Sequence, residues 1–303
     1  MGAREDRHGV AAAIAGHQGG VIHRAQLRAR GVGKEGVRTE VRAGRWQRWG
    51  VHTVRVATLP VEPVAYHWRA VWESGAGAVL DGAAALVAHG MTGYRPATID
   101  VSLPRSATVR RVDGVTTHQR RVLERHLVAG VPRLAPEWAT IHAAQWASTD
   151  RQAALLVCLP VQQRLVPPAR LLETWLGVFR SRRRTLLGLV IQDVCDGAHS
   201  LGELDFGALC RRRGLPSPVR QSLRTGPSGR VYLDVEWEGL VVEIDGGHHL
   251  FGLNPTDDAL RANEVALGSS RVLRIPLIGL RLEPDRFMAQ VARGLGLPVL
   301  ASA

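Results

Sequence analysis

Val231-Tyr232-Leu233-Asp234-Val235-Glu236-Trp237, then Glu238-Gly239, then Leu240-Val241-Val242-Glu243-Ile244-Asp245-Gly246-Gly247-His248-His249 reads as two alternating strands joined by a two-residue turn. With Glu238-Gly239 as the turn, Trp237 faces Leu240 and Asp234 faces Glu243. Strand side chains alternate between faces. One face therefore carries Val231, Leu233, Val235, Trp237, Leu240, Val242 and Ile244, all apolar. The other carries Tyr232, Asp234, Glu236, Glu243 and Asp245. Like charges directly opposite one another destabilise a sheet by up to about 1 kcal/mol. Two readings stay open at this point: a compensating cation held by the carboxylates, or a solvated polar face of an antiparallel sheet.

The chain has 303 residues, enough for two or three domains, and its 45% hydrophobic content is ordinary for a globular protein. It contains no apolar run long enough to span a bilayer, and its first residues, Met-Gly-Ala-Arg-Glu-Asp-Arg-His, do not form a signal peptide. Cys158, Cys195 and Cys210 lack zinc-ligand or disulfide-framework spacing and read as buried, reduced thiols of a cytoplasmic protein. The formal charge of +12 is unevenly placed: net +7 over residues 1–60, +5 over 61–198 and zero over 199–303. A basic excess concentrated at one end suggests a nucleic-acid partner; a compositional preference for arginine, with Lys34 the one lysine, explains the choice of Arg over Lys but not the local excess over acids, and no membrane partner is expected.

Within residues 1–57, helices are expected over Asp6–Gly16, His23–Ala29 and Lys34–Ala43, with breaks at Gly31 and Gly44. Val37 and Val41 share one face of the third helix, and Lys34, Arg38 and Arg42 share another. Gly36 inside that helix costs about 1 kcal/mol relative to Ala. Arg45-Trp46-Gln47-Arg48 and the residues to Val54 read as a β-wing. This order suggests a winged helix-turn-helix, with the third helix in a major groove and Arg45 and Arg48 of the wing at phosphates. Gly20-Val21-Ile22-His23-Arg24-Ala25-Gln26-Leu27, Gly31-Val32 and Val41-Arg42-Ala43-Gly44-Arg45-Trp46 resemble the N-terminal winged helix of AbiEi-type antitoxins. That resemblance implies DNA-binding autorepression in a type IV toxin–antitoxin or phage-defence system, and a cognate toxin as a possible partner.

Residues 58–198 read as a mixed α/β region that resembles the second domain of the same antitoxins. Helices are expected near Tyr66–Trp72, Asp81–His89, Pro168–Arg180 and Arg182–Val194, and strands at Thr98–Pro104 and Val115–His118. The runs Arg110-Arg111, Arg120-Arg121 and Arg182-Arg183-Arg184 either track phosphates or are solvated helix ends. No P-loop, zinc-protease motif or nucleophile elbow occurs.

Residues 199–303 read as α-β-β-β-α-β-α. Ser200-x-x-Glu203 forms a capping box for a helix to about Arg213, and further helices follow at Ala259–Leu267 and Asp285–Leu295. The order resembles the PD-(D/E)XK nuclease core. Ser200-x-x-Glu203, Leu233-Asp234, Val242-Glu243-Ile244-Asp245-Gly246-x-x-His249, Asp258-x-x-Arg261-x-Asn263 and Arg271-Val272-Leu273-Arg274 resemble the signature of bacterial relatives of very-short-patch repair endonucleases. The whole is expected to be an α+β multidomain protein: an N-terminal winged helix, a mixed α/β middle and a C-terminal restriction-endonuclease-like core.

The nuclease resemblance implies a Mg²⁺- or Mn²⁺-dependent endonuclease acting on DNA, with Asp234 and Glu243 as metal ligands. Glu203 adds a third carboxylate or only caps its helix. Asp245 is a ligand or a partner of the Gly246-Gly247 turn. His249 is a general acid–base or a structural residue. Arg261 and Arg274 hold phosphate oxygens or pair with Asp258 or Glu243. The usual triad ends in Glu-x-Lys, but Asp245 stands in the lysine place and no lysine follows Lys34. A non-catalytic, antitoxin-like regulator is the alternative expectation.

Overall fold

The computed structural model describes residues 2–195, 204–225, 231–245, 259–260, 263 and 272–298. The protein is mixed α/β, with three sheets among the described residues. It divides into two compact units, Met1–Ala139 and Thr140–Ala303. That division falls inside the segment 58–198, so residues 1–57 lie in the first unit and 199–303 in the second.

The first unit opens with α1 (Gly2–Gly16), β1 (Val21–His23), α2 (Arg24–Ala29), α3 (Lys34–Arg42), β2 (Trp46–Arg48) and β3 (Thr53–Val56). The strands form an antiparallel sheet in the order β1-β3-β2. Ala11, Ala15, Ile22, Leu27, Val37, Trp46 and Val54 close a small core between helices and sheet. α2 starts at His23 because Nδ1 of that residue accepts from Ala25 N at 3.0 Å while Gln26 Oε1 accepts from His23 N at 2.9 Å. This is a capping box with an imidazole in the place usually taken by Ser or Thr. The cost of Gly36 has a compensation. A Cβ there would stand 3.1 Å from Val32 Cγ1, a tight approach that glycine avoids, while Arg7 Cδ of α1 at 3.7 Å is at ordinary contact distance.

The unit continues with α4 (Pro63–Ser74), β4 (Val79–Leu80), α5 (Gly82–Ala88), β5 (Ile99–Pro104), β6 (Val115–Arg120), β7 (His126–Leu127) and β8 (Arg133–Leu134). These strands form a second sheet, ordered β6-β5-β4-β8-β7. Buried Asp81 links its parts: the carboxylate accepts from Gly82 N at 2.6 Å to cap α5 and also accepts the Ser102 hydroxyl of β5.

α6 (Pro136–Trp146) spans the boundary, and α7 (Asp150–Gln162), α8 (Pro168–Leu176) and α9 (Arg184–Cys195) begin the second unit. α8 stops at Leu176 instead of running to Arg180, because Gly177 closes it with its N–H on Thr174 O at 3.2 Å. Then come α10 (Phe206–Arg212), β9 (Arg220–Thr225), β10 (Val231–Trp237), β11 (Leu240–Asp245), β12 (Val272–Pro276), α11 (Leu277–Leu282) and α12 (Pro284–Gly294). The expected single helix from Ser200 to Arg213 is not what forms. Leu204 and Asp205 are non-helical, and Asp205 caps α10 by accepting from Ala208 N at 2.7 Å. The Ser200/Glu203 box lies outside the described residues, as do most of the expected helix Ala259–Leu267 and the turn after Asp245. α11 was not expected. Pro276 ends β12 and sits at its N-cap, where a missing N–H costs nothing.

The sheet of this unit has the order β12-β11-β10-β9, antiparallel except for the parallel pair β11/β12. Leu233, Val235, Trp237, Leu240, Val242 and Ile244 are buried against Phe206, Phe287 and Val291. Burial of such side chains is worth about 1.5–3 kcal/mol each. A slip of one residue would expose all of them, so the hairpin register is fixed by its core face.

Candidate functional site

The β10/β11 register pairs Trp237 with Leu240, Asp234 with Glu243 and Tyr232 with Asp245, and Gly239 supplies the positive φ of 80° that the turn needs. Because the apolar face is buried, the carboxylates lie together on the opposite face. β9 and β12 extend that face. Ser222 stands beside Asp234 and Arg220 beside Glu236, while Arg274 stands beside Glu243. One row across the sheet therefore reads Ser222, Asp234, Glu243, Arg274.

Arg274 is 78% exposed in its side chain, and its Nε donates to Glu243 Oε2 at 3.1 Å. Its backbone is held firmly. Buried Asn263 donates from Nδ2 to Arg274 O at 2.9 Å and accepts from Arg274 N at Oδ1, also at 2.9 Å. Asn263 Nδ2 also donates to Gln290 Oε1 at 3.0 Å, and Gln290 Nε2 donates to Leu260 O at 2.9 Å. An amide pair thus ties β12 to α12 and to Leu260. It leaves the guanidinium outside while fixing the strand that carries it.

Asp234 and Glu243 are hard oxygen donors, of the kind that suits Mg²⁺ or Mn²⁺. Mg²⁺ is commonly bound through one or two carboxylates with water completing its shell, so this pair fits such an ion. Among the described residues no group of three or more His, Cys, Asp or Glu side chains converges on one point. Glu203, His249 and Arg261 lie outside the described residues.

In the first unit, Lys34, Arg38 and Arg42 of α3 and Arg48 of β2 are all exposed. Arg38 approaches Glu35 to 3.7 Å, an exposed i,i+3 pair of little energetic weight. Arg45 is placed differently. Its Nε donates to buried Glu40 Oε2 at 2.6 Å, and Arg7 lies 3.8 Å from the other oxygen, so Arg45 ties α3 to the sheet.

The β2–β3 turn is fixed from behind by Glu73 of α4. Its carboxylate accepts from the backbone N–H of Val51 at 3.0 Å and of His52 and Thr53 at 2.8 Å, and from Thr53 Oγ1 at 2.7 Å. Burial raises the Glu73 pKa, but the four hydrogen bonds together outweigh it and leave the group below the ordinary carboxylate value. Gly50 is needed here, since a Cβ would come 2.3 Å from the Glu73 carboxyl carbon. Beside this anchor the His23 and His52 rings stack at 5.5 Å, and His23 meets Trp72 edge-on at 5.3 Å. Burial first, then the His52 charge, lowers the His23 pKa against an opposing effect of Glu73.

The arginine runs are largely committed to the fold. Arg110 Nε donates to Glu73 O at 2.9 Å, Arg120 pairs with Glu124 at 2.6 Å, and Arg183 pairs with Asp150 at 2.6 Å. Cys158 and Cys210 are buried, with thiols pushed up to about 12 and about 11 by burial; Cys195 is only half-buried. No helix among the described residues is long and apolar enough to cross a membrane.

The chain matches no protein-family model and no curated protein. Glu73, Asn263 and Gln290 are the positioning residues that sequence reasoning missed. Each acts across a tertiary contact, and only Asn263 lay inside a quoted motif.

Proposed function

We propose that this chain binds DNA and cleaves it as a divalent-metal-dependent endonuclease. The observation that carries the reading is the row Asp234, Glu243, Arg274 across three adjacent strands of one sheet face. Its support is chemical: phosphodiester hydrolysis needs a hard cation, a positioned water and charge stabilisation at the phosphate. Asp234 and Glu243 would hold the cation, which when bound acts as a Lewis acid and lowers the pKa of its water. Arg274, exposed and fixed through Asn263, would hold a non-bridging phosphate oxygen by charge-assisted hydrogen bonds. The order α10-β9-β10-β11-β12-α11-α12 among the described residues is compatible with the PD-(D/E)XK core that the sequence resembles, with Glu203, His249 and Arg261 as further proposed members of the site. In the first unit, α1–α3 with the antiparallel sheet are compatible with a winged helix, with Lys34, Arg38 and Arg42 as phosphate or base contacts and Arg48 at the wing.

A second reading is favoured by one observation. Arg274 already neutralises part of the carboxylate charge, and no lysine follows Lys34. On this reading the second unit keeps a nuclease-derived binding surface in an antitoxin-like regulator. A cleavage assay separates the two. Plasmid, single-stranded and mismatched DNA are incubated with Mg²⁺, Mn²⁺ or chelator. Cutting that requires metal and is lost in Asp234→Ala and Glu243→Ala is expected. Absence of metal-dependent product on every substrate supports the regulator, and cutting that survives both substitutions places the chemistry elsewhere.

A further inference from the structure

The loop between α8 and α9 carries the most exposed large apolar side chain of the described residues. Phe179 is 91% exposed and Leu176, at the end of α8, is 69% exposed. An exposed aromatic on a floppy loop means little, but this loop is held at both ends. Arg183 adopts a positive φ of 55°, unusual for a residue with a side chain. Its guanidinium accounts for that conformation, donating to Asp150 Oδ1 at 2.6 Å, Ser148 O at 3.3 Å and Gln145 O at 3.4 Å. Arg184 lies over the Trp175 ring at 4.6 Å and donates to Val178 O. Two of the four arginines thus fix the loop, and the other two, Arg180 and Arg182, are exposed beside Phe179.

We propose that Phe179, Arg180 and Arg182 form a binding platform for single-stranded nucleic acid, with an unpaired base stacked on Phe179 and its flanking phosphates on the two arginines. Charge favours this occupant: residues 164–184 contain six arginines and one acid, Glu173. Size disfavours the others. The apolar residues Leu171 and Trp175 of α8 are buried in the protein, so Leu176 and Phe179 offer far less than the apolar face of a membrane-surface helix or the roughly 1,200 Å² of a stable protein interface. A second copy would also bring arginine against arginine. A single exposed aromatic next to cations is what a splayed base requires, because every base has a π-face. A stacked duplex presents no such face at its sides. The proposal is independent of the Asp234/Glu243 site and of α3.

The test uses the full chain in chelator, so that cleavage cannot interfere, and measures anisotropy of a labelled oligothymidylate of about 20 nucleotides and of a duplex of equal length. Phe179→Ala should weaken oligothymidylate binding by about 5- to 100-fold and leave duplex affinity unchanged, and Phe179→Trp should restore it. Arg180→Ala with Arg182→Ala should reduce the magnitude of the salt slope on the single strand by about 1.4. Since Phe179 is almost fully exposed, the variant's circular dichroism should match the parent. Unchanged single-strand affinity in Phe179→Ala, or an equal loss on duplex, overturns the proposal. So does selective loss of binding to phosphatidylserine vesicles, which assigns the loop to a membrane surface. A dimer-to-monomer change in sedimentation with oligonucleotide binding intact overturns it in favour of self-association.

Discussion

Replacing Asp234 with Asn should stabilise the protein in chelator and destabilise it relative to wild type in Mg²⁺. Asp234 and Glu243 are direct cross-strand partners, which places their Cβ atoms about 4.5–5.5 Å apart. Two unit charges at about 5 Å repel by about 0.8 kcal/mol at the dielectric of water and about 3 kcal/mol at an effective value of 20. Arg274 offsets part of this, but an ion pair with a side chain 78% exposed returns less than about 1 kcal/mol. Asp234→Asn should therefore gain about 0.5–1 kcal/mol without metal. Glu243→Gln should gain less, because it also removes the partner of Arg274. With about 10 mM Mg²⁺ and a dissociation constant of about 1 mM, binding adds about 1.4 kcal/mol to wild type, and either substitution removes that term. At about 2–4 °C per kcal/mol for a unit of this size, the wild-type midpoint should rise by about 3–6 °C. Thermal unfolding in chelator, Mg²⁺ and matched NaCl measures both effects. A wild-type midpoint indifferent to Mg²⁺, with neutral substitutions, would reduce the carboxylates to a solvated face. Equal Mg²⁺ stabilisation of wild type and variants would move the ion elsewhere.

Three further expectations concern the first unit. Glu73→Ala strands three backbone donors and the Thr53 hydroxyl behind the β2–β3 turn and should cost about 3–5 kcal/mol, with Glu73→Gln between it and wild type; a loss under about 1 kcal/mol in urea unfolding would deny the anchor its role. His23 is depressed from 6.5 by burial, so the unfolded chain binds its proton first, and the associated stability is complete above about pH 6.5 and falls as pH drops through the lower folded value. Glu73, depressed from 4.5, adds a second loss in the same direction below about pH 4.5; His23→Asn, which keeps a capping acceptor, should flatten only the upper step, and an unaltered profile would assign it to another group. Arg38→Ala with Arg42→Ala should weaken duplex binding and lower the magnitude of the salt slope by about 1.8, and an unchanged mobility-shift titration would remove both side chains from the interface.

The hairpin was legible because two independent local signals agree. Period-two alternation sets the buried face, and Glu238-Gly239 sets the turn, so the Asp234–Glu243 pairing followed without tertiary information. The small helices of the first unit were legible for a similar reason: Gly31 and Gly44 have positive φ of 77° and 71° at their ends. What escaped was set by contacts distant in sequence. Glu73 caps a turn about 20 residues earlier, and Asn263 pairs with the backbone of Arg274. Neither residue type at those positions signals its partner. Arg45 fitted the wing pattern, yet its partner Glu40 is buried within the same module, and a buried carboxylate left without a cation or donor is costly. At Pro276 the signal was present. A strand pattern running into Pro followed by Leu277-Ile278-Gly279-Leu280 marks a strand end and a helix start.

The use of acids across the chain gives the hairpin its weight. Glu40 and Asp193 are buried and bonded to Arg45 and Arg281. Glu73 and Asp81 are buried acceptors of backbone N–H groups, Asp205 caps α10, and Asp150 and Asp285 hold Arg183 and Arg213. In each case a carboxylate meets a cation or a donor, as its desolvation requires. The β10/β11 face adds a like-charged pair by setting Asp234 directly opposite Glu243, beside the Glu243–Arg274 ion pair, in a chain whose net charge is +12 and whose cations are plentiful. A fold that needed only a soluble strand face could place Ser or Thr there without repulsion, as β9 does with Ser222 in the same row. A bound divalent ion, as proposed above, would convert that repulsion to attraction, which is why the sign change between chelator and Mg²⁺ is the measurement that bears most directly on the proposed function.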